Sequence, residues 1–579
     1  MSSPLHRLIQ LLWLDRSSIF LLSCYALGAG LLSLALPLAA QALVNSIVQG
    51  LFWQPLLVLT SAVFAGLLLS GVLKSLQLAI AEGVQQKLFA RLGLRLTELV
   101  PRFQTQAFRA RRGPEELNKF FEIVNIQKSW HKLLIDVPTG LVELALSFAF
   151  LMLYGTQLLS VALLCSLIAA FFIALLGWGG LASSAGESKL KYQLAGWLEQ
   201  LARSQDCWKL FRSGERALLR SDALIYAYLK HRQHHFGVLL RQLSAYYLFN
   251  AVVMAGVLGY GGYLVIERQI SVGQLVAAEL VVLNLLKSAE KLVRAAEPYF
   301  DLLTGLDKLG TLLEIPADAP PDQNLDKEQR PCRLQLRGVG FGYPGHPAAV
   351  LRQADLEVPA GARVSLLGPE GAGRSTLAQL CVGLLQPQSG LVEVDEREVS
   401  RLERGGLAWL HPDHDLLDAS VEENVRMGRD ISQADLRWAL EMSGLNDHLS
   451  WLPQGLRTEL YWAGRNLSSS QVTRLQLARV LAGRPRLLVL DHDLAALGPQ
   501  ARRRVLARLF DVSRSWTILN LSYELEALAL SQRIYWLQDG EIIELGTPNE
   551  AVASEVSPLR RHFPALSAEL ARRLEASDV

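Results

Sequence analysis

From Ser17 to Leu73 the chain has no Asp, Glu, Lys or Arg, and a run this long without charge leaves few folds open. A bilayer span takes about 20 apolar residues, so the run holds two helices. Asn45, Gln49, Gln54 and Pro55 interrupt it midway and mark the turn between them. Leu144 to Gly186 is charge-free in the same way, with Tyr154-Gly-Thr-Gln157 at its middle, and reads as spans three and four. Gln242 to Ile266 and Val272 to Val293 supply a fifth and a sixth, joined by Glu267-Arg268-Gln269. With 579 residues, half of them hydrophobic, the chain is too long for one domain and too apolar for an ordinary soluble enzyme.

The charges are collected between these runs. Lys74 to Glu143 and Glu187 to Arg241 are long, rich in Lys and Arg and helical in pattern, which places them and the N-terminus in the cytoplasm. The expected location is a bacterial-type inner (plasma) membrane, with spans that continue beyond the bilayer as helical arms. Met1 to Arg16 mixes basic and apolar residues without a small-residue cleavage site, so it reads as an interfacial helix and not as a signal peptide. Gly113 to Glu122 and Phe211 to Glu215 break the arms; each is either an ordinary turn or the place for a short cross-helix that docks on a soluble domain.

Other clusters point to no metal. His231 and His235 stand one helical turn apart, with His234 beside them, but no carboxylate or cysteine completes a ligand set, and a solvated arm is the expectation. Cys24, Cys165, Cys207, Cys332 and Cys381 are scattered and read as free or buried thiols. A net charge of +2 gives no sign of a nucleic-acid partner. In the sixth span, Glu279 and Lys287 lie near one helical face; ionisable groups at this depth face a wet cavity or pair for packing, and both alternatives stand.

Residues 315–331 are rich in Pro, Asp and Gln and form a linker between a membrane domain at 1–314 and a second domain at 332–579. In the second domain an apolar strand (Val364 to Leu367) runs into Gly368-Pro-Glu-Gly371-Ala-Gly373-Arg374-Ser375-Thr376. The glycines let backbone N–H groups turn toward phosphate oxygens, and the helix that follows adds its positive end. The spacing fits G-x-x-x-x-G-K-[ST], except that Arg374 replaces the lysine, and a planar fork is not equivalent to a compact ammonium. Upstream, Leu334 to Tyr343 alternates as a strand and ends on an aromatic residue. Downstream, Leu467-Ser-Ser-Ser-Gln471 opens a helix, and the strand Arg486 to Leu490 ends in Asp491, placed to hold a magnesium-bound water opposite Ser375.

Six spans with long inner arms followed by this order of motifs resemble a half-size exporter of the ATP-binding cassette (ABC) superfamily over nearly the whole chain. The fold this implies is an α-helical six-span membrane domain followed by an α/β P-loop cassette. The resemblance also implies a dimer in which two cassettes sandwich ATP and Mg2+. By position, Tyr343 would stack on adenine, Gly368 and Gly371 to Thr376 would hold phosphates and magnesium, Ser468 to Gln471 would be the signature facing the partner's phosphate, and Asp491 would sit on the metal.

The departures from the family fall on the positions that do chemistry. The loop Trp409 to Leu417 lacks the expected glutamine, Ser469 and Ser470 replace the two signature glycines, His492 replaces the general-base glutamate, Gly498 an aspartate, and Tyr523 the switch histidine. Loss of a general base alone costs about 10²–10⁴ in rate. The run His411-Pro-Asp-His414-Asp415 lies in the degenerate loop and reads as a solvated turn, not a metal site. The expectation is a non-catalytic half that binds ATP, hydrolyses it poorly or not at all and pairs with an intact ABC subunit. A homodimer, a scaffold or nucleotide sensor that moves no cargo, and a slow ATPase using His492 are the alternatives. The cargo is not legible.

Overall fold

The structure, a computed structural model, describes residues 3–48, 53–111, 113–153, 180–320, 330–346, 348–402, 406–411, 415–491 and 494–577. It divides into two compact units, Met1–Phe103 with Ala107–Pro316, and Gln104–Gln106 with Ala317–Val579.

The first unit is helical. Its principal helices are α1 (Pro4–Leu14), α2 (Arg16–Ser33), α3 (Ala35–Val48), α4 (Trp53–Leu99), α5 (Glu122–Leu153), α6 (Gly180–Arg203), α7 (Gly214–Ile266), α8 (Val272–Arg294) and α9 (Ala296–Leu313). Pro37 explains the break between α2 and α3, since proline is tolerated only in the first turn, where its missing N–H has no intrahelical partner. Ser271 starts α8 with a capping box, its hydroxyl accepting from Gln274 N while Gln274 Oε1 accepts from Ser271 N. At 1.5 Å per residue, α4 and α7 are about 70 and 80 Å long, more than twice the hydrocarbon core, so both continue as arms.

Among the described residues, five stretches are long and apolar enough to cross a membrane: Arg16–Ile47, Leu56–Arg102, Asn118–Leu153, Gly214–Ile266 and Val272–Leu313. They take in the expected first, second, third, fifth and sixth spans. The fourth, with Tyr154 to Gln157 and Cys165, falls on 154–179, outside the described residues. The first arm breaks earlier than Gly113, at Val100–Arg102, and Gly113 itself takes a positive φ of 31°. The second breaks at Arg212, also left-handed, just before α7.

One sequence reading changes here. His235 is not on a solvated face: it is 1% exposed, with Nδ1 2.8 Å from Ser183 Oγ on α6. The small residues of α6 bring α7 close, and a Cβ on Gly186 would lie 2.9 Å from His231 Nδ1. A separate ion pair joins the sixth span to α5. Lys291 Nζ donates to Glu143 Oε2 on α5 at 2.6 Å, and Ser288 Oγ donates to the same oxygen at 3.0 Å. Glu279 is half-buried and Lys287 exposed, apart from that pair.

The second unit holds two sheets. β1 (Leu334–Phe341), β2 (Leu351–Val358), β4 (Ser389–Val394) and β5 (Arg397–Glu398) form an antiparallel sheet ordered β2-β1-β4-β5. β3 (Arg363–Leu367), β6 (Leu407–Leu410), β7 (Leu487–Leu490), β8 (Thr517–Asn520), β9 (Arg533–Gln538) and β10 (Glu541–Gly546) form a sheet ordered β10-β9-β3-β8-β7-β6. All its pairings are parallel except β10 with β9. Every residue of β3 is buried, as both faces of a parallel strand require. One core lies between this strand and the antiparallel sheet; another packs Gln433–Ser443 (α11) and Ser469–Leu481 (α12) against β6 and β7.

The two units yield two predictions. Lys291→Met strands Glu143, which is 4% exposed, whereas Glu143→Gln leaves a lysine that can turn to water. Lys291→Met is therefore expected to cost about 2–4 kcal/mol, Glu143→Gln distinctly less, and the double variant less than Lys291→Met alone, by thermal melting in detergent. Burial pushes the Cys332 and Cys381 thiols up to about 12, while Cys207 is exposed. At pH 7.5 a maleimide is expected to label Cys207 promptly, and Cys332 and Cys381 only after denaturation, as peptide mass mapping would report.

Candidate nucleotide site

The glycine-rich loop leaves the C-terminal end of β3 and enters Arg374–Cys381 (α10). Its glycines are required by the backbone. A Cβ on Gly368 would meet the Leu537 carbonyl oxygen at 2.2 Å, Gly371 takes φ +79° with open space above it, and Gly373 takes φ +100°. The loop therefore has the backbone of a phosphate cradle at a helix N-terminus. This donor set, amides and hydroxyls on a fixed turn, fits a polyphosphate.

Around the cradle, the structure brings some expected residues together and commits others elsewhere. Tyr343 Oη lies 3.1 Å from Thr376 Oγ1, so the aromatic residue at the end of β1 reaches the loop's helix. Its ring meets Phe341 edge-on at 5.1 Å between centroids. Arg374 stays on the inner side: Nη1 donates to the Leu521 carbonyl oxygen at 2.5 Å, and Cζ lies 4.2 Å from the centre of the Tyr523 ring. Tyr523 Oη donates in turn to the Gly368 carbonyl oxygen. Asp491 Oδ2 stands 3.9 Å from His411 Nε2, and the His411 ring lies 4.6 Å from Trp409.

The helix that opens at Ser468 is capped from within. Ser468 Oγ accepts from Gln471 N at 3.3 Å and Gln471 Oε1 accepts from Ser468 N at 2.9 Å, so two donors at this end are already satisfied inside the chain. Arg479, farther along α12, ties down the loop before it: Nη1 donates to the Asp415 carbonyl and Nη2 to Asn424 Oδ1, at 2.9 and 2.8 Å. Burial lowers the guanidinium's pKa, with Arg429 nearby adding to the effect. His492, Pro412, Asp413 and His414 lie outside the described residues.

Of the residues expected at the nucleotide, Tyr343 and Thr376 are neighbours through their hydroxyls. Sequence reasoning did not see that Arg374 and Tyr523 touch, that Tyr523 reaches Gly368, or that His411 faces Asp491. Gly368→Ala is expected to push Leu537 aside, lowering the melting temperature and abolishing binding of a fluorescent ATP analogue.

Residues 351–495 match the family described as ABC transporter, whose cassette implies ATP binding, usually with Mg2+. Over 534 residues the chain is 23% identical to the "Cyclolysin secretion/processing ATP-binding protein CyaB" of Bordetella pertussis, covering 90% of this chain and 74% of that protein. It is 30% identical over 291 residues to the "ATP-dependent lipid A-core flippase" of Ralstonia nicotianae, 49% of each. Against "ABC transporter 1" of Ajellomyces capsulatus it is 30% identical over 254 residues and spans 19% of that protein. Among solved structures, a bacterial Atm1-family ABC exporter with ATP bound has a TM-score of 0.81 at 22% identity, over 97% of this chain and 99% of that one. The chain thus has the architecture of a half-size ABC exporter, apolar helices long enough to cross a membrane followed by an ATP-binding cassette.

Proposed function

We propose that this chain is the non-catalytic half of an ABC exporter, binding ATP with Mg2+ but hydrolysing it poorly or not at all, and paired with an intact ABC subunit in a bacterial-type inner membrane. The observation that carries the reading is the state of the cradle: its backbone fits phosphates, while its cation is bound to the Leu521 carbonyl and stacked on Tyr523. Bound nucleotide would supply polyphosphate charge at the loop. Gly371, Gly373 and the first turn of α10 would hold that charge, Thr376 and Tyr343 would flank it, and Ser375 and Asp491 would hold the magnesium.

Several groups that activate water in an intact cassette are replaced in this sequence: a histidine stands at 492 and a tyrosine at 523. The Tyr523 hydroxyl is spent on Gly368. The serines at 469 and 470 and the capped end of α12 support a weakened contact with a partner's phosphate as well. A homodimer would hold two such sites, so pairing with an intact subunit is the simpler assembly. The cytoplasmic face carries the cassette and N-terminus, and the long arms support coupling of cassette closure to the spans. CyaB and the lipid A-core flippase are named for protein secretion and lipid transport, and these two classes frame the search for cargo.

The test is ATP binding and turnover by the purified chain in lipid nanodiscs, alone and after affinity capture from its host. Binding is expected alone, with turnover at least about 100-fold below that of the captured complex, as for loss of a general base. His492→Ala is expected to leave the residual rate unchanged. Turnover alone at the rate of the complex, or its loss in His492→Ala, overturns the non-catalytic reading in favour of the slow ATPase; binding of no nucleotide favours a scaffold.

A further inference from the structure

We infer that Tyr523 is a specificity-determining residue that makes the cradle indifferent to the third phosphate, so that this cassette takes a nucleoside diphosphate about as readily as a triphosphate. The inference rests on the proposed nucleotide binding and says which nucleotide the site retains.

The geometry is a closed set of contacts between two chain segments. On one side, Arg374 is the first residue of α10 and follows the left-handed Gly373, so its side chain starts at the mouth of the loop. On the other, β8 ends at Asn520 and the chain continues through Leu521 and Ser522 to Tyr523. Leu521 is buried, and its N–H donates to the Leu490 carbonyl at 2.7 Å, which fixes the direction of its own carbonyl. That carbonyl accepts from Arg374 Nη1. The Tyr523 ring supplies a face to the same guanidinium and is backed by Phe563, 5.0 Å away, which in turn lies 6.0 Å from Trp536. The platform under the cation is therefore part of a packed core and not a loose side chain. The hydroxyl of the same tyrosine ends on the Gly368 carbonyl, the first residue of the loop.

Recognition of a polyphosphate divides into two parts. Backbone amides of the loop and helix contact the phosphates nearest the cradle, and these donors are set by the glycines whatever side chains surround them. An added terminal phosphate brings extra negative charge and is favoured only by a cation or donor that can turn to it. Arg374 has one donor on the Leu521 carbonyl and its plane on an aromatic face, so turning the guanidinium toward a terminal phosphate works against both contacts. Tyr523 cannot turn without giving up Gly368. Both side chains are thus engaged, Arg374 by the Leu521 carbonyl and the tyrosine face and Tyr523 by Gly368, and the selectivity they would provide is spent on holding the loop in shape.

The experiment measures ATP and ADP affinities of the full chain in nanodiscs by competition against a fluorescent nucleotide, a readout independent of hydrolysis. For the unaltered protein the two affinities are expected to agree within about threefold, less than 1 kcal/mol. Tyr523→Ala removes the platform and is expected to raise ATP affinity about fivefold or more while ADP moves by less than about twofold, the scale of one cation–π contact. Tyr523→Phe keeps the ring and is expected to keep the ratio near one. Should Tyr523→Ala melt at too low a temperature to assay, Arg374→Lys, whose ammonium has no planar face to stack, is expected to move the ratio in the same direction. An unaltered chain that prefers ATP by about tenfold, or substitutions that shift both nucleotides equally, overturns the inference and leaves nucleotide binding standing. Binding of neither nucleotide overturns both.

Discussion

β3 is paired in parallel on both edges, with β8 and β9, and every one of its residues is buried, so the loop that follows has one way out. In a parallel sheet the strands end together, and the crevice beyond their carboxyl ends is where ligands meet them. Gly368 leaves β3, Asp491 leaves β7 and Tyr523 follows β8 at that same edge. Their backbones are stitched across: Asp491 N donates to the Leu410 carbonyl and Leu521 N to the Leu490 carbonyl. The cradle is thus inherited from the sheet and survives changes in the side chains around it. The Leu537 carbonyl of β9, pressed against Gly368, adds a steric limit that only glycine meets.

Within that frame the residues at 374 and 523 are not independent. A tyrosine at 523, half-buried, needs an acceptor for its hydroxyl, since an unmade hydrogen bond there carries a desolvation penalty. The nearest structural solution is a loop carbonyl, and Gly368 provides it. An arginine at 374 needs more room than a lysine and gains from a flat neighbour. The Tyr523 ring supplies that flat face, while its own hydroxyl is met by Gly368 and not by Arg374. At Ser468 the hydroxyl and Gln471 close the helix end in a capping box.

The features legible in the sequence are local ones. Spans announce themselves by uninterrupted length, β3 by its short apolar run, and Gly371 and Gly373 by spacing, because each depends only on neighbours in the chain. The pairings that were not legible join residues far apart in sequence. Glu143 sits at the edge of a charge-free run and reads as the end of an arm; only the packing of α5 on α8 shows that it is buried beneath Lys291. His235 reads as solvated until α6, with its serines and Gly186, is laid beside α7. Arg374 and Tyr523 could each be marked as departures, but nothing in their separate positions says that they stack.

Under the proposed pairing, an inert site has a use only through binding energy. A ligand that binds one state of a protein and not the other shifts the balance by RT ln(1 + [L]/Kd), about 2.7 kcal/mol at a hundredfold excess over Kd. That term vanishes if the ligand is lost or changed during the cycle. A site that distinguishes di- from triphosphate would release its wedge whenever the nucleotide pool changed composition. One whose cation and switch residue are tied to each other keeps a nearly constant closing bias, set by the total nucleotide concentration. The timing of opening then passes to the intact site alone, and the degenerate half contributes steady affinity in place of a second, competing clock.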